Sequence, residues 1–459
     1  MKLQRNRMDL SILPVIFALA WPTMLEQLMQ TAVQYIDTAM VGSLGTEATA
    51  TVGATYTVTW LVNSSFFAIG IGFLAFISQA YGAENYDMTH RASAQAFLTV
   101  LVSGTIFTII ILGVSSHVPV WMQVDEDLQE MAARYFFILY IPTLPRAAIM
   151  ILGTVLRAVG DTKTPMIVGV TVNIINIILN FILIYPTRSI GNFVIYGAGL
   201  GIDGAAIASA SAFTVGGILI TVALYRHPHV TPKGCSLMPE LEILKPCMKV
   251  AFPALMQRFG VSMGQIVFAS MINSVGQVAT AAHTIANTVE SLFYIPGHGV
   301  QTAAATLAGN ALGARDEERL RELPKILILM EVIMMLVSGA ALFIFAPAMC
   351  SIFSKSAEVI LLGSIVLRMV AVSEPFYGVS VAVEGMMQGV GRTIRPFVYN
   401  TIGMWCVRIV GTFILTQIFD YGLVAAWGCM IAHNLLLFAL YMVHYRSGRW
   451  NPMREEASA

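Results

Sequence analysis

With 459 residues, 57% of them hydrophobic and only 11% charged, the chain departs from the balance of a soluble protein, in which about a quarter of residues are charged. Most of its side chains must face lipid or one another, and a formal net charge of zero provides no basic bias toward nucleic acid. The five cysteines (Cys235, Cys247, Cys350, Cys406 and Cys429) are scattered, with no CxxC pair and no Cys/His cluster, so neither a disulfide framework nor a zinc site is indicated.

The basic start, Lys2, Arg5 and Arg7, leads into an apolar run over residues 10–21 that has the look of a secretory signal. No small-x-small cleavage site precedes Pro22, and the apolar pattern continues to Val41, so the segment reads as a first transmembrane helix entered from the cytoplasm. A spanning helix needs about 20 mostly apolar residues. Such stretches predict spans over 13–41, 50–79, 93–117, 131–157, 165–186, 198–225, 248–273, 280–309, 326–348, 358–389, 396–419 and 421–444. Lysine and arginine test this map. Nineteen fall in segments on one side, from Lys2 through Arg91, Lys163 and Lys233 to Arg454, and only Arg188 and Lys355 in loops on the other. The positive-inside rule then places both termini in the cytoplasm. The longest linker, 226–247, carries Pro228, Pro232 and Pro239. It divides a six-helix lobe over 1–225 from a second over 248–446, with a cytoplasmic tail over 447–459.

The two halves are a repeat. At an offset of 231, LAWPTMLEQLMQ (19–30) falls on VAFPALMQRFGV (250–261), and MVGSLGTEATA (40–50) on MINSVGQVATA (271–281). SQAYGA (78–83) falls on GNALGA (309–314), and GDTKTP (160–165) on GRTIRP (391–396). Pro22/Pro253, Gly82/Gly313 and Pro165/Pro396 match across the offset, which convergent low-complexity sequence would not preserve. Six is an even number, so both halves enter the membrane in the same sense. The expected fold is an all-α integral membrane protein of twelve transmembrane helices, in two six-helix lobes related by a pseudo-twofold axis along the membrane normal. Transporters built this way place substrate at the repeat interface.

Several segments resemble the multidrug and toxic compound extrusion (MATE) family: AWPTMLEQ (20–27), IDTAMVGSLG (36–45), AYGA (80–83) and LRAVGDTKTP (156–165). In the second half PGHGVQTAAATLAGNALGA (296–314) and EGMMQGVGRTIRP (384–396) resemble the corresponding elements. The resemblance covers nearly the whole chain. It implies two lobes in a V shape and export of drug-like, often cationic compounds in exchange for H⁺ or Na⁺.

An ionisable residue inside a span is costly and is a functional candidate for that reason. Glu26, Gln30, Gln34 and Asp37 follow at spacings of four, four and three, on one face of the first span. Such a stripe must line a cavity or meet polar groups. Asp37 matches the family's first-helix aspartate and is the expected coupling carboxylate. A carboxylate in a low-dielectric site alternates between charged and neutral states, as a proton or cation carrier requires. The fifth span supplies Asn173, Asn176 and Asn180, the last two sharing a face. Some family members carry an aspartate at the second of these positions. Here Asn180 stands there, which leaves Asp37 as the one acid of this group, with H⁺ or a Na⁺ near it as the coupling ion. By the same resemblance Tyr135 joins the site.

The second half has its own stripe, His283, Asn287 and Glu290, with an Arg258–Glu290 pair as the expected structural contact. Glu374 precedes Pro375, which frees a backbone carbonyl and marks a kinked, cavity-lining region. Glu384 reads as a hydrated face residue, Glu331 has no evident partner, and Arg408 calls for an acid that the sequence does not name. The GDTKTP loop has one glycine and no P-loop spacing, and no Walker motif occurs, so ATP is not the energy source. No catalytic constellation appears within the spans. The chain thus reads as a monomeric antiporter of the bacterial inner membrane, not an enzyme, with no cofactor beyond its coupling ion. A lipid-linked oligosaccharide flippase of related architecture is the alternative, favoured by a strongly cationic cavity and often by fourteen spans.

Overall fold

The computed structural model of the protein describes residues 10–122, 124–190 and 193–454; Lys2, Arg5 and Arg7 lie outside them, as does the side chain of Arg188. Among the described residues the chain makes twelve helical passes. The first three are α1 (Leu13–Gly42), α2 (Thr46–Gly82) and α3 (Tyr86–Val114). A short helix, α4 (Val118–Trp121), precedes a fourth pass broken into α5 (Glu126–Tyr140) and α6 (Thr143–Ala158), bent by 49°. Pro142 and Pro145 stand at the bend, where a missing N–H and a ring clash interrupt the helical ladder. α7 (Lys163–Leu183) and α8 (Gly201–Arg226) complete the first six passes. Between them lies an antiparallel hairpin, β1 (Pro186–Ile190) and β2 (Phe193–Ala198), where the sequence had indicated only a loop.

The second six passes open with α9 (Leu241–Val275). The eighth pass is broken into α10 (Gln277–Phe293) and α11 (Ile295–Gly313), with Pro296 just past the break. α12 (Glu317–Phe353) and α13 (Ala357–Gly389) follow. The eleventh pass starts as α14 (Ile394–Thr401) and widens into a π-helical segment, Ile402–Ile409. It returns to one α turn, α15 (Val410–Phe413), and widens again over Ile414–Ile418. α16 (Leu423–Arg446) is the twelfth.

By length and apolar content eight of these helices qualify as membrane spans on their own, and the bent α5–α6 pair makes a ninth. Of the other three passes, α1 and α9 carry polar side chains along their length (Glu26 to Asp37, and Gln257, Arg258 and Gln265), and the α10–α11 pass is interrupted at Tyr294. Outer faces are apolar and bare: Ile109 and Val337 are each 68% exposed, as lipid-facing residues should be.

The repeat is visible in the backbone. Left-handed φ values recur at the offset of 231 found in the sequence: Gly45 (+123°) with Gly276 (+136°), and Gly160 (+88°) with Gly391 (+80°). Glu84 (+57°) and Arg315 (+53°) form a third pair, each in a tight turn after a glycine-bearing helix end. Turn chemistry, and not only hydropathy, is therefore duplicated.

The described chain falls into two compact units. One holds residues 25–73 and 86–246; the other holds residues 10–24, Leu74–Asn85 and everything from Cys247 onward. α1 is thus shared, with the division two residues past Pro22, inside a helix where proline has already removed a backbone hydrogen bond. In the second unit Ile16, Leu19 and Ala20 of α1 join Val300, Ala304 and Ala308 of α11, Leu323 and Leu327 of α12, and Tyr441 of α16 in one core. A second core in the same unit gathers Phe268, Leu342, Val366 and Trp427.

Within this unit the end of α2 crosses the end of α11 with no side chain between them. A Cβ built on Gly82 would stand 2.0 Å from the carbonyl oxygen of Asn310, and one on Gly313 only 1.9 Å from that of Gln79. Positions 79 and 310, like 82 and 313, are repeat equivalents, so each partner makes the other's contact. Nearby, the Gln79 amide donates to the carbonyl of Gly389 at 3.0 Å.

In the first unit the connection from α8 to α9, residues 227–240, is pinned to the start of α3. Gln95, fully buried, donates from its amide to Met238 O at 2.8 Å and accepts from Glu240 N at 3.1 Å. Arg91 Nε donates to Glu240 Oε2 at 3.0 Å. His227 stands 3.9 Å from Asp161, and burial holds its imidazole below the ordinary range, only partly offset by that carboxylate. Two hydrogen bonds lost from a buried amide amount to about 2 kcal/mol. Gln95→Ala is therefore expected to speed trypsin cleavage at the exposed Lys233 by about tenfold or more, read by limited digestion of the purified protein.

Candidate functional site

The first polar cluster lies within the first unit, where α1, α7 and α8 meet. Asn176 and Asn180 sit four residues apart on α7, so both amides face the same way. Both are buried, whereas Asp37 on α1 is half-buried. Asn180 Nδ2 donates to Asp37 Oδ1 at 2.6 Å. The Asn176 amide satisfies its surroundings when its nitrogen donates to both Asp37 oxygens, at 2.9 and 3.0 Å, and its oxygen accepts from Ser209 Oγ at 2.9 Å. One carboxylate is thereby held by two neutral amides, and no basic side chain pairs with it among the described residues. The carbonyl oxygen of Asn180 is buried with no hydrogen-bond partner. A small cation at this point would meet Asp37 and that oxygen; three or more carboxylate, histidine or cysteine ligands do not converge anywhere among the described residues. Tyr135, also buried, lies within electrostatic range of Asp37.

The rest of the α1 stripe has other roles. Glu26 forms an ion pair with Arg157 of α6 at 2.6 Å. Gly169 of α7 makes room for it, since a Cβ there would come within 3.1 Å of Glu26 Cγ. Gln30 and Gln34 are exposed, and Asn173 is half-buried, one turn before Asn176. The structure thus gathers Asp37, Asn176, Asn180 and Tyr135, adds Ser209, which sequence reasoning passed over, and sets Glu26 in a separate pair.

The second cluster lies within the second unit and is built of acids. Glu290 on α10 accepts a short hydrogen bond from Tyr294 Oη. Glu331 on α12 and Glu374 on α13 are fully buried, and none of their four carboxylate oxygens has a hydrogen-bond partner. Glu290 and Glu331 are both close enough to Glu374 to act on it electrostatically. Gly297 and Gly378 leave the space that Glu331 fills. The cation facing Glu290 is Arg408, stacked 4.1 Å over the Phe268 ring, and not Arg258 as the sequence suggested. Arg258 instead lies in the field of Glu384. Glu384 is not a hydrated face residue: it accepts from Gln257 (2.8 Å), Tyr441 (3.0 Å), Gln388 (3.1 Å) and Asn400 (3.3 Å). His283 accepts from Trp427 Nε1 at 3.3 Å, and Asn287 is exposed.

The MatE family profile matches residues 22–182 and, a second time, residues 253–414. This chain is a member of the MATE family of efflux transporters. The two matches to the MATE profile begin 231 residues apart, the offset of the repeat. Among curated MATE relatives, the probable multidrug resistance protein NorM of Thermotoga maritima is 25% identical over 432 residues, covering 94% of this chain and 92% of that protein. Human multidrug and toxin extrusion protein 1 is 23% identical over 425 residues, covering 91% of this chain and 72% of that protein. A crystal structure of MATE in the bent conformation superposes with a TM-score of 0.88 at 22% identity, covering 97% of each chain, a likeness of fold.

Proposed function

We propose that this MATE transporter is a secondary active antiporter that exports small organic, drug-like cations across the bacterial cytoplasmic membrane, in exchange for H⁺ or Na⁺ taken up at Asp37. The observation that supports this reading is one carboxylate gripped by two neutral amides beside a buried, unpartnered Asn180 carbonyl. A charge in that setting is expensive when unshared. A proton on Asp37 turns one of its two acceptor oxygens into an O–H donor and removes the charge that both asparagines meet, and a sodium ion draws on the same oxygens. Either event changes how α1 is held against α7. α1 continues through Pro22 into the other unit, so it is the element that would carry that change onward. An ion shifts the balance of two conformations only by its difference in affinity for them, with roughly 1.4 kcal/mol giving a tenfold change.

The test is ethidium transport by the purified protein in liposomes, with ΔpH and a Na⁺ gradient imposed separately. Ethidium movement that follows one gradient and reverses with it is the expected result, and it names the coupling ion. Movement driven by neither gradient would overturn the antiporter reading.

A further inference from the structure

A basic pocket opens at one end of the second unit, where α12 begins and α16 ends. Its volume is about 330 Å³, at the small end of the range for ligand sites. Arg321, Lys325, Arg446 and Arg454 line it, with Glu317 as the one lining acid. Glu322, just outside, is already engaged by Lys325 Nζ at 2.8 Å and Arg321 Nε at 3.7 Å. Arg446 and Arg454 form no ion pair among the described residues, and the described lining sets four cationic side chains against one acid.

This concentration is constructed by the fold. After α16 the chain turns back at Gly448, whose φ is +73°. The Arg454 guanidinium lies over that glycine, where a Cβ would come within 2.8 Å of Nη1. The turn buries Trp450, which is 4% exposed, against Tyr445 with ring centroids 6.3 Å apart. Arg392 Nη1 fastens the turn by donating to Arg449 O at 2.5 Å. Aromatic rings beside arginines at helix ends are what the membrane–water boundary selects.

We infer that this pocket binds a phosphate-bearing anion, supplied by the headgroup of an anionic phospholipid in the cytoplasmic leaflet. The inference rests on the spanning topology and on the side to which the lysines and arginines assign this end. It does not depend on the transported compound or the coupling ion. Guanidinium groups meet phosphate oxygens through two parallel N–H donors, and three arginines offer that geometry here. Basic pockets between helix ends on the cytoplasmic side are suited to acidic headgroups, with each cation near the surface adding several-fold to binding. Such a lipid would bridge the ends of α12 and α16.

The test is native mass spectrometry of the full-length protein after exchange with an equimolar mixture of phosphatidylglycerol and phosphatidylcholine. Wild type is expected to retain phosphatidylglycerol preferentially. R446Q/R454Q is expected to lose that retention by about tenfold or more, and R446K/R454K, which keeps the charge but not the paired donors, to fall between it and wild type. Arg446 and Arg454 are exposed, so the variants should unfold at the wild-type temperature in lipid-free detergent, which separates lost binding from lost fold. Equal retention of the two lipids by wild type would overturn the proposal, as would undiminished preference in R446Q/R454Q. Inorganic phosphate is the second arm. If millimolar phosphate protects the wild type against thermal unfolding while phosphatidylglycerol gains nothing over phosphatidylcholine, the anion comes from solution and the lipid source is wrong.

Discussion

Asp37→Asn is expected to reduce gradient-driven ethidium transport to the passive leak while leaving the protein folded. Asparagine matches aspartate in size and still accepts a hydrogen bond, so contacts from Asn176 and Asn180 survive in part. It neither takes a proton nor attracts a cation, so the ion has no differential affinity through which to shift the two conformations. Removing a half-buried charge also removes a desolvation cost, and the unfolding temperature should be unchanged or higher. Transport and thermal unfolding, measured on the same preparation, separate these effects. Loss of both would mark Asp37 as structural. Retention of coupled transport would move coupling to the second cluster, where Glu331 and Glu374 hold buried carboxylate oxygens without hydrogen-bond partners beside Glu290.

The second large effect is expected at the helix crossing. Gly313→Ala puts a methyl group 1.9 Å from the Gln79 carbonyl oxygen, well inside contact distance, and that oxygen belongs to backbone that cannot rotate away. The helices must separate or the substitution is not accommodated. Overpacking of this kind costs about 1–3 kcal/mol even where neighbours can shift, and the repeat partner Gly82→Ala should behave alike. Reduced folded yield and a lower unfolding temperature, followed by tryptophan fluorescence, are the expected readouts. Gly113→Ala is the control: it lies in α3 with nothing within 4 Å, and should be neutral or slightly stabilising. A Gly313→Ala protein as stable as this control would show that the crossing is not closely packed.

The spans were legible in the sequence because lipid punishes unsatisfied backbone and buried charge so severely that long apolar stretches stand out. The breaks were harder to place. Pro142 and Pro145 interrupt the fourth pass, yet Pro22, Pro324 and Pro347 lie inside continuous helices, so proline alone does not mark a break. The π-helical stretches of the eleventh pass have no local signature. Asp37 stood out as an acid in an apolar helix and Asn176 and Asn180 as two amides at helical spacing, but it was the resemblance to the family, not spacing, that brought them together, because they lie on different helices. Glu331 was equally conspicuous within ILILMEVIMML, but its neighbours Glu290 and Glu374 come from other helices and its space from Gly297 and Gly378, none of which spacing within one helix can supply. Arg258 was assigned to the wrong acid for the same reason. Hydropathy indicates which residues need partners; tertiary packing decides which partners they get.

The crossing of α2 and α11 carries a historical implication. In a symmetric dimer an isologous contact has residue i of one subunit meeting j of the other while j meets i. Gly82 against Asn310 and Gly313 against Gln79 have that form within a single polypeptide. Were the two halves separate identical copies, one glycine and one neighbouring carbonyl would make both contacts across a twofold axis, and a single substitution would strike the assembly twice. In one polypeptide the two positions can vary independently. Phe268 now stands where the repeat would place a second Asp37, yet the glycines have stayed in register. Chemistry diverged between the copies, while the place where their backbones touch did not.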